Sequence, residues 1–162
     1  MQLKDSRAIV TGGVSGLGFA VAKHLVAQGG KVVLFDVNEE KGAVAVAELG
    51  EGNARFIKTD VSDEADVTAN VAAAREFLGA LNACINCAGI LGAGRVLGKN
   101  GPMALSQFQT TVMVNLIGSF NVAKACADVM QHNDVNDAGE RGVIVNTASV
   151  AAYEGQIGQA AY

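Results

Sequence analysis

The chain has 162 residues, enough for one domain with a sizeable core. Half of its residues are hydrophobic and only 17% are charged, which suits a sheet covered on both faces; the net charge of -4 argues against a nucleic-acid surface, which carries a basic patch. No apolar run approaches the ~20 residues of a membrane span, and residues 1–7 are too polar for a signal-peptide core, so a soluble cytoplasmic protein is expected.

Residues 7–11 read as the first strand. Residues 16–28 follow as a helix, with Leu17, Ala20, Val21, His24 and Leu25 at helical spacing, and Gly29-Gly30 ends it because glycine tolerates a left-handed turn. Residues 31–36 are the second strand, 39–49 a short helix and 54–59 the third strand. Ser62 is the expected N-cap of the next helix, with Asp63, Glu64 and Asp66 where acids suit the helix dipole, and that helix runs to about Phe77. Residues 81–86 form the fourth strand, the glycine-rich stretch 89–101 a loop, and 105–130 a long helix. A polar surface excursion over 132–141 then leads into a fifth strand at 143–147. Strands joined by helices of this length pair in parallel through right-handed crossovers. The expected fold class is therefore α/β, a doubly wound parallel sheet in which residues 1–162 form a single domain.

Three cysteines point to a reducing compartment rather than a disulfide scaffold. Cys84 and Cys87 match a C-x-x-C pattern, but on a strand an offset of three puts them on opposite faces. With no second ligand pair, no metal site is expected, and Cys84 and Cys126 read as small buried residues.

Gly12, Gly16 and Gly18 sit where the first strand turns into the first helix, in a G-x-x-x-G-x-G arrangement. A pyrophosphate needs close backbone approach and free N–H groups at a helix N-terminus, and side chains there would block it. A glycine-rich turn with no ligand is the alternative. Asp36 weighs against that alternative: it ends the second strand, eighteen residues after Gly18, where a carboxylate accepts both hydroxyls of an adenosine ribose. The same charge repels a 2′-phosphate, Glu39 and Glu40 add to it, and neither Val14 nor Ser15 supplies a cation. The expected cofactor is NAD.

Thr11 to Gly18, Asp60-Val61, Asn86-Cys87-Ala88-Gly89, Asn115, and Ser149 followed thirteen residues later by Tyr162 together resemble the short-chain dehydrogenase/reductase family, in order and at family spacing along the whole chain. Asn86 to Ile90, the polar loop after Met130 and the stretch from Gly142 to Gln156 are similar to the short-chain 3-hydroxyacyl-CoA dehydrogenases within it. The resemblance implies a Rossmann fold with strand order 3-2-1-4-5, here without the family's C-terminal strands. It implies that Ser15 and Leu17 meet the pyrophosphate through backbone N–H groups, that Asp60 bonds the adenine amino group, and that the Val61 main chain touches the ring. A bland role for Asp60 is capping the turn after the third strand. Cys87 stands where the family more often has asparagine, and its small side chain should fit beside the cofactor ribose.

By the same resemblance Tyr162 is the general acid/base and also meets the cofactor, while Ser149 donates a hydrogen bond to the substrate oxygen. Asn115 distorts its helix, and its carbonyl holds a water in a proton relay; read from its position alone, it is as well a buried polar core residue. Gln156, seven residues after Ser149, is a candidate substrate contact, with a solvent-facing loop residue as the alternative. His24 and His132 look uninvolved.

The family also places a lysine four residues after the tyrosine to lower the phenol pKa, a position numbered 166 here. These 162 residues are therefore expected to be part of a longer chain, nearly inactive alone, and the uncovered fifth strand, Val143-Ile144-Val145, supports that expectation. The implied partners are a small-molecule substrate, a 3-hydroxyacyl-CoA or else a hydroxysteroid or other secondary alcohol, and further copies of the chain in a homotetramer, with no nucleic acid and no membrane. A non-catalytic NAD-binding or scaffolding module is the reading of a different class.

Overall fold

The computed structural model describes residues 1–99 and 101–162. In chain order the first half gives Arg7–Thr11 (β1), Gly16–Ala27 (α1), Lys31–Asp36 (β2), Glu39–Leu49 (α2), Ala54–Lys58 (β3), Glu64–Leu78 (α3) and Ala83–Asn86 (β4). Two short strands, Leu97–Gly98 (β5) and Gly101–Pro102 (β6), pair antiparallel within the stretch expected to be loop throughout. Leu105–Val112 (α4) and Ser119–Met130 (α5) follow, then Val143–Asn146 (β7) and a short 3₁₀ turn, Val150–Ala152.

Five strands form one parallel sheet in the order β3-β2-β1-β4-β7. This is the expected 3-2-1-4-5 arrangement with β7 as the fifth strand. The chain runs outward from β1 to β3, then crosses back to β4 on the other side of β1. The carboxyl ends of β1 and β4 therefore flank a topological switch point, where such sheets open a crevice for ligands.

Strand alternation sorts the core into two layers. Ile9, Val33, Phe35 and Cys84 face α3 and α5, where Val67, Val71, Val122 and Cys126 cover them. Ala8, Val10, Val32 and Leu34 face α1 and α2, against Ala22, Leu25, Ala45 and Leu49. Each fully buried Val, Leu or Ile contributes about 1.5–3 kcal/mol of transfer free energy, which explains why β1 and β2 read as solid apolar runs rather than alternating ones.

Cys84 and Cys126 are both fully buried in the first layer, and no disulfide forms. The Cys84 thiol beside it, together with burial, pushes the Cys126 thiol up, so Cys126 is not poised as a thiolate. Cys87 lies just past β4 and is half-buried, so the C-x-x-C spacing spans a strand end rather than two faces of one strand.

One helix start differs from the expectation, while the long helix is distorted around Asn115 as the resemblance implied. The N-cap of α3 is Asp63, not Ser62: the Asp63 carboxylate accepts from the N–H groups of Ala65 and Asp66 at 2.9 and 3.0 Å. The Ser62 hydroxyl instead donates to Asp60 Oδ1 at 2.6 Å. The long helix is continuous from Leu105 to Met130 but contains a π-helical turn, Met113–Gly118. At 26 residues it is long and apolar enough to match a membrane span by length and composition alone, although no uninterrupted apolar run in the sequence suggested it. Asn121, Val122, Cys126 and Met130 are buried on its core-facing side, which makes α5 a packed layer of this domain.

The amino-terminal edge of the sheet is closed by side-chain amides. Asn82 accepts from the Arg7 N–H at 2.8 Å and donates to the Asp5 carbonyl at 2.9 Å. Asn133, at the start of the polar excursion, donates to the carbonyls of Leu81 and Arg141, each at 2.8 Å.

Candidate functional site

A cleft of about 780 Å³ opens at the carboxyl ends of the strands. One wall is the β1–α1 turn. Gly12 and Gly16 both have positive φ, 61° and 52°, a region that disfavours residues with a Cβ. A Cβ on Gly18 would lie 2.3 Å from the Gly12 carbonyl oxygen, so this glycine lets α1 approach β1. A Cβ on Gly16 would meet nothing within 4 Å and would project into open space. Ser15 sits at the N-cap of α1 but makes no side-chain capping bond, leaving the first N–H groups of the helix to an incoming anion. These features fit a pyrophosphate.

Asp36, at the end of β2, forms the next wall; it is half-buried, and its Oδ1 accepts from the Asn38 N–H at 3.1 Å. The turn after β3 supplies Asp60, Val61 and Ser62. Asp60 does cap that turn, accepting from the Ser62 N–H at 2.9 Å, while its other carboxylate oxygen makes no bond among the described residues. Cys87 to Ile90, beyond β4, form the floor. Among the described residues the lining holds two carboxylates, Asp36 and Asp60, and no lysine or arginine.

The floor is held by a buried network that the sequence only hinted at. Thr11 Oγ1 accepts from the N–H groups of both Cys87 and Ala88, at 3.1 and 3.0 Å. Asn86 Nδ2 donates to Asn146 Oδ1 at 2.9 Å and to the Ser119 carbonyl at 3.2 Å. β1, β4, β7 and α5 are thereby pinned together directly below the cleft.

All nine cofactor candidates taken from the nucleotide half, Gly12, Ser15, Gly16, Leu17, Gly18, Asp36, Asp60, Val61 and Cys87, line this single cleft. Ser149, Asn115, Gln156 and Tyr162 do not. Ser149 caps the 3₁₀ turn just after β7, its Oγ accepting from the Ala151 N–H at 3.2 Å. Asn115 lies in the π-helical turn and bonds the main chain of Ile90, which does line the cleft. Gln156 is exposed on its loop. Tyr162 is 44% exposed, and the segment before it is tied to the loop after β4 by the Gly94 N–H donating to the Gly158 carbonyl at 2.7 Å.

Sequence reasoning missed the face of α4. Ser106, Gln109, Thr110 and Met113 line the cleft at spacings of three and four. The polar character of Ser106, Gln109 and Thr110 on one face of α4 was a usable signal, masked by the apolar residues around them.

A doubly wound parallel sheet whose first glycine-rich turn opens at the switch point, with an acidic residue ending the second strand, defines a dinucleotide-binding α/β protein. The chain belongs to the short chain dehydrogenase family, whose model matches residues 6–162. It is 47% identical over 162 residues to the 3-hydroxyacyl-CoA dehydrogenase type-2 of Rattus norvegicus, covering 99% of this chain and 62% of that one. The protein of the same name from Drosophila melanogaster is 44% identical over the same length, covering 99% of this chain and 63% of its own. The crystal structure of 3-hydroxyacyl-CoA dehydrogenase type-2 from Mycobacterium avium superposes with a TM-score of 0.90 at 40% identity, covering 99% of this chain and 63% of that chain. The chain thus spans a little under two thirds of the length of these relatives.

Proposed function

We propose that these residues form the cofactor site and part of the reaction site of an NAD-dependent dehydrogenase that interconverts a 3-hydroxyacyl-CoA and its 3-ketoacyl-CoA. The observation that carries the cofactor reading is the composition of the cleft: nine candidates from four separate segments converge on it, with two carboxylates and no cation among the described residues. A 2′-phosphate would meet Asp36 unneutralised, whereas ribose hydroxyls can donate to it. The substrate class is supported by the dehydrogenases named above, at 47% and 44% identity.

A nicotinamide dinucleotide bound in the cleft supplies hydride transfer. Gly12, Ser15, Gly16, Leu17 and Gly18 would hold its pyrophosphate, Asp36 its adenosine ribose, and Asp60 and Val61 its base. Cys87 would lie beside a ribose, with Tyr162 contacting the same cofactor. Ser149 would donate to the substrate oxygen, and Tyr162 would take the hydroxyl proton in oxidation and return it in reduction. Asn115 would serve the relay through its main-chain carbonyl, which already accepts from the Ser119 hydroxyl at 2.8 Å and keeps a second lone pair. Gln156 would contact the substrate from its loop. The Ser149 and Tyr162 roles rest on the motif, and full-length variants test them.

The deciding experiment follows absorbance at 340 nm as the full-length protein is given NAD or NADP with 3-hydroxybutyryl-CoA, a hydroxysteroid or a simple secondary alcohol. Reduction of NAD with the acyl-CoA, lost in Ser149→Ala and Tyr162→Phe, is the expected result. Tight NADH binding without turnover of any alcohol would instead favour a nucleotide-binding module, and turnover of the steroid alone would reassign the substrate.

A further inference from the structure

The turn carrying Asp60 and Val61 is held from beneath by the long helix, through two residues with no assigned role. Asn121 of α5 is a buried amide, 6% exposed. Its Nδ2 donates to the Val61 carbonyl at 3.0 Å and to the Asp63 carbonyl at 3.2 Å, bracketing the turn on both sides of Ser62. One helical turn earlier, Gly118 closes the π-helical segment directly against the Val61 side chain: a Cβ there would lie 2.6 Å from Val61 Cγ2. Val61 itself is 7% exposed yet lines the cleft. Nothing in helix formation calls for an asparagine at this site, since the residue is a mediocre helix former and its amide makes no intrahelical bond here. Its two donors are spent on the turn.

We infer that Asn121, together with Gly118, is a positioning residue for the base end of the nucleotide cleft, setting where the Asp60–Val61 turn meets the adenine. This rests on the reading of the cleft as a dinucleotide site. Asn121→Leu keeps the number and branching of side-chain heavy atoms and removes both donors, leaving two carbonyls to find other partners; Gly118→Ala drives a methyl group against Val61 without touching Asn121.

The test is calorimetric titration of the full-length protein with AMP, paired with steady-state kinetics. For either variant the AMP Kd and the KM for NAD should rise about tenfold, the equivalent of about 1.4 kcal/mol, with kcat and the KM for the alcohol substrate unchanged. Should Asn121→Leu fail to fold, Gly118→Ala carries the comparison, and Val61→Ala added to it should recover part of the AMP affinity. An unchanged AMP Kd with only a lowered Tm would overturn the inference, as would equal losses in kcat and in both KM values. Wild-type protein that binds no AMP would overturn the cleft reading itself. Wild-type that binds AMP but turns over no alcohol would leave the AMP comparison decisive.

Discussion

Asn115 grips both polar main-chain groups of Ile90: its Oδ1 accepts from the Ile90 N–H at 2.8 Å, and its Nδ2 donates to the Ile90 carbonyl at 2.9 Å. A single side chain thus satisfies a loop residue just beyond β4 that has no strand partner. Because Asn115 sits in the π-helical turn, the distortion of the helix and the placement of the cleft floor are one feature.

Removing that grip should loosen the floor. Asn115→Ala leaves two loop groups without their partner, a loss of about 1–3 kcal/mol in urea unfolding. Asn115→Asp keeps an acceptor for the Ile90 N–H but sets a carboxylate against the Ile90 carbonyl, so it should be no more stable than Asn115→Ala at neutral pH. Both variants keep the main-chain carbonyl assigned to the relay, so any fall in full-length turnover should come from the displaced Ile90 segment of the cleft floor.

Gly16 and Gly18 should respond differently to the same added methyl group. Gly18→Ala places a Cβ 2.3 Å from a backbone oxygen that cannot rotate away, an overpacking that costs about 1–3 kcal/mol. Gly16→Ala meets open space but holds φ at 52°, a strain of about 1–2 kcal/mol. Its methyl group projects where a pyrophosphate would approach, so NADH affinity measured by fluorescence should drop by more than the stability loss explains.

Cofactor choice should turn on Asp36. Asp36→Ala loses charge-assisted hydrogen bonds worth about 1.5–3 kcal/mol, so the Kd for NADH should rise about tenfold or more. Adding Val37→Arg at the neighbouring exposed position supplies the missing cation, and the double variant should prefer NADPH. Equal preference in the single and double variants would show that Val37 does not face the 2′ position.

At low pH one surface pair reports through NMR. Lys124 donates to Glu64, and this hydrogen bond, then its charge, holds the Glu64 carboxyl below its ordinary value. A carboxyl lowered in the folded state adds stability above its unfolded pKa and loses it as pH falls through the folded one. Lys124→Ala should therefore raise the Glu64 pKa towards 4.5 and flatten the acid limb of the stability curve. Both groups are exposed, so the urea midpoint at pH 7 should scarcely move.

Much of the sheet was legible because burial on both faces writes strands as apolar runs, as in Val32 to Phe35. The glycine turn and Asp36 were legible because a phosphate and a ribose demand particular residues at particular offsets. The π-helical turn has no such imprint: it changes which carbonyl each N–H reaches while the apolar pattern continues, and only an asparagine in mid-helix marked it. The cap at Asp63 was displaced from Ser62 because Asp60 captured the serine hydroxyl, a competition among neighbouring acceptors that spacing does not reveal. The α4 face of Ser106 and Gln109 depended on how that helix docks on the loop after β4, where Gln107 bonds the Ala93 carbonyl, a tertiary fact.

The amides of Asn82 and Asn133 seal the amino-terminal rim, while the cleft is lined from the opposite rim, α4 and the π-helical turn. The segment between Asn133 and Arg141 is accordingly a place to graft cargo. A fluorophore or short epitope at Asp134 or Asp137 would ride on the rim away from the cleft, and nucleotide titrations could then be followed on a labelled protein whose affinity matches that of the unlabelled one.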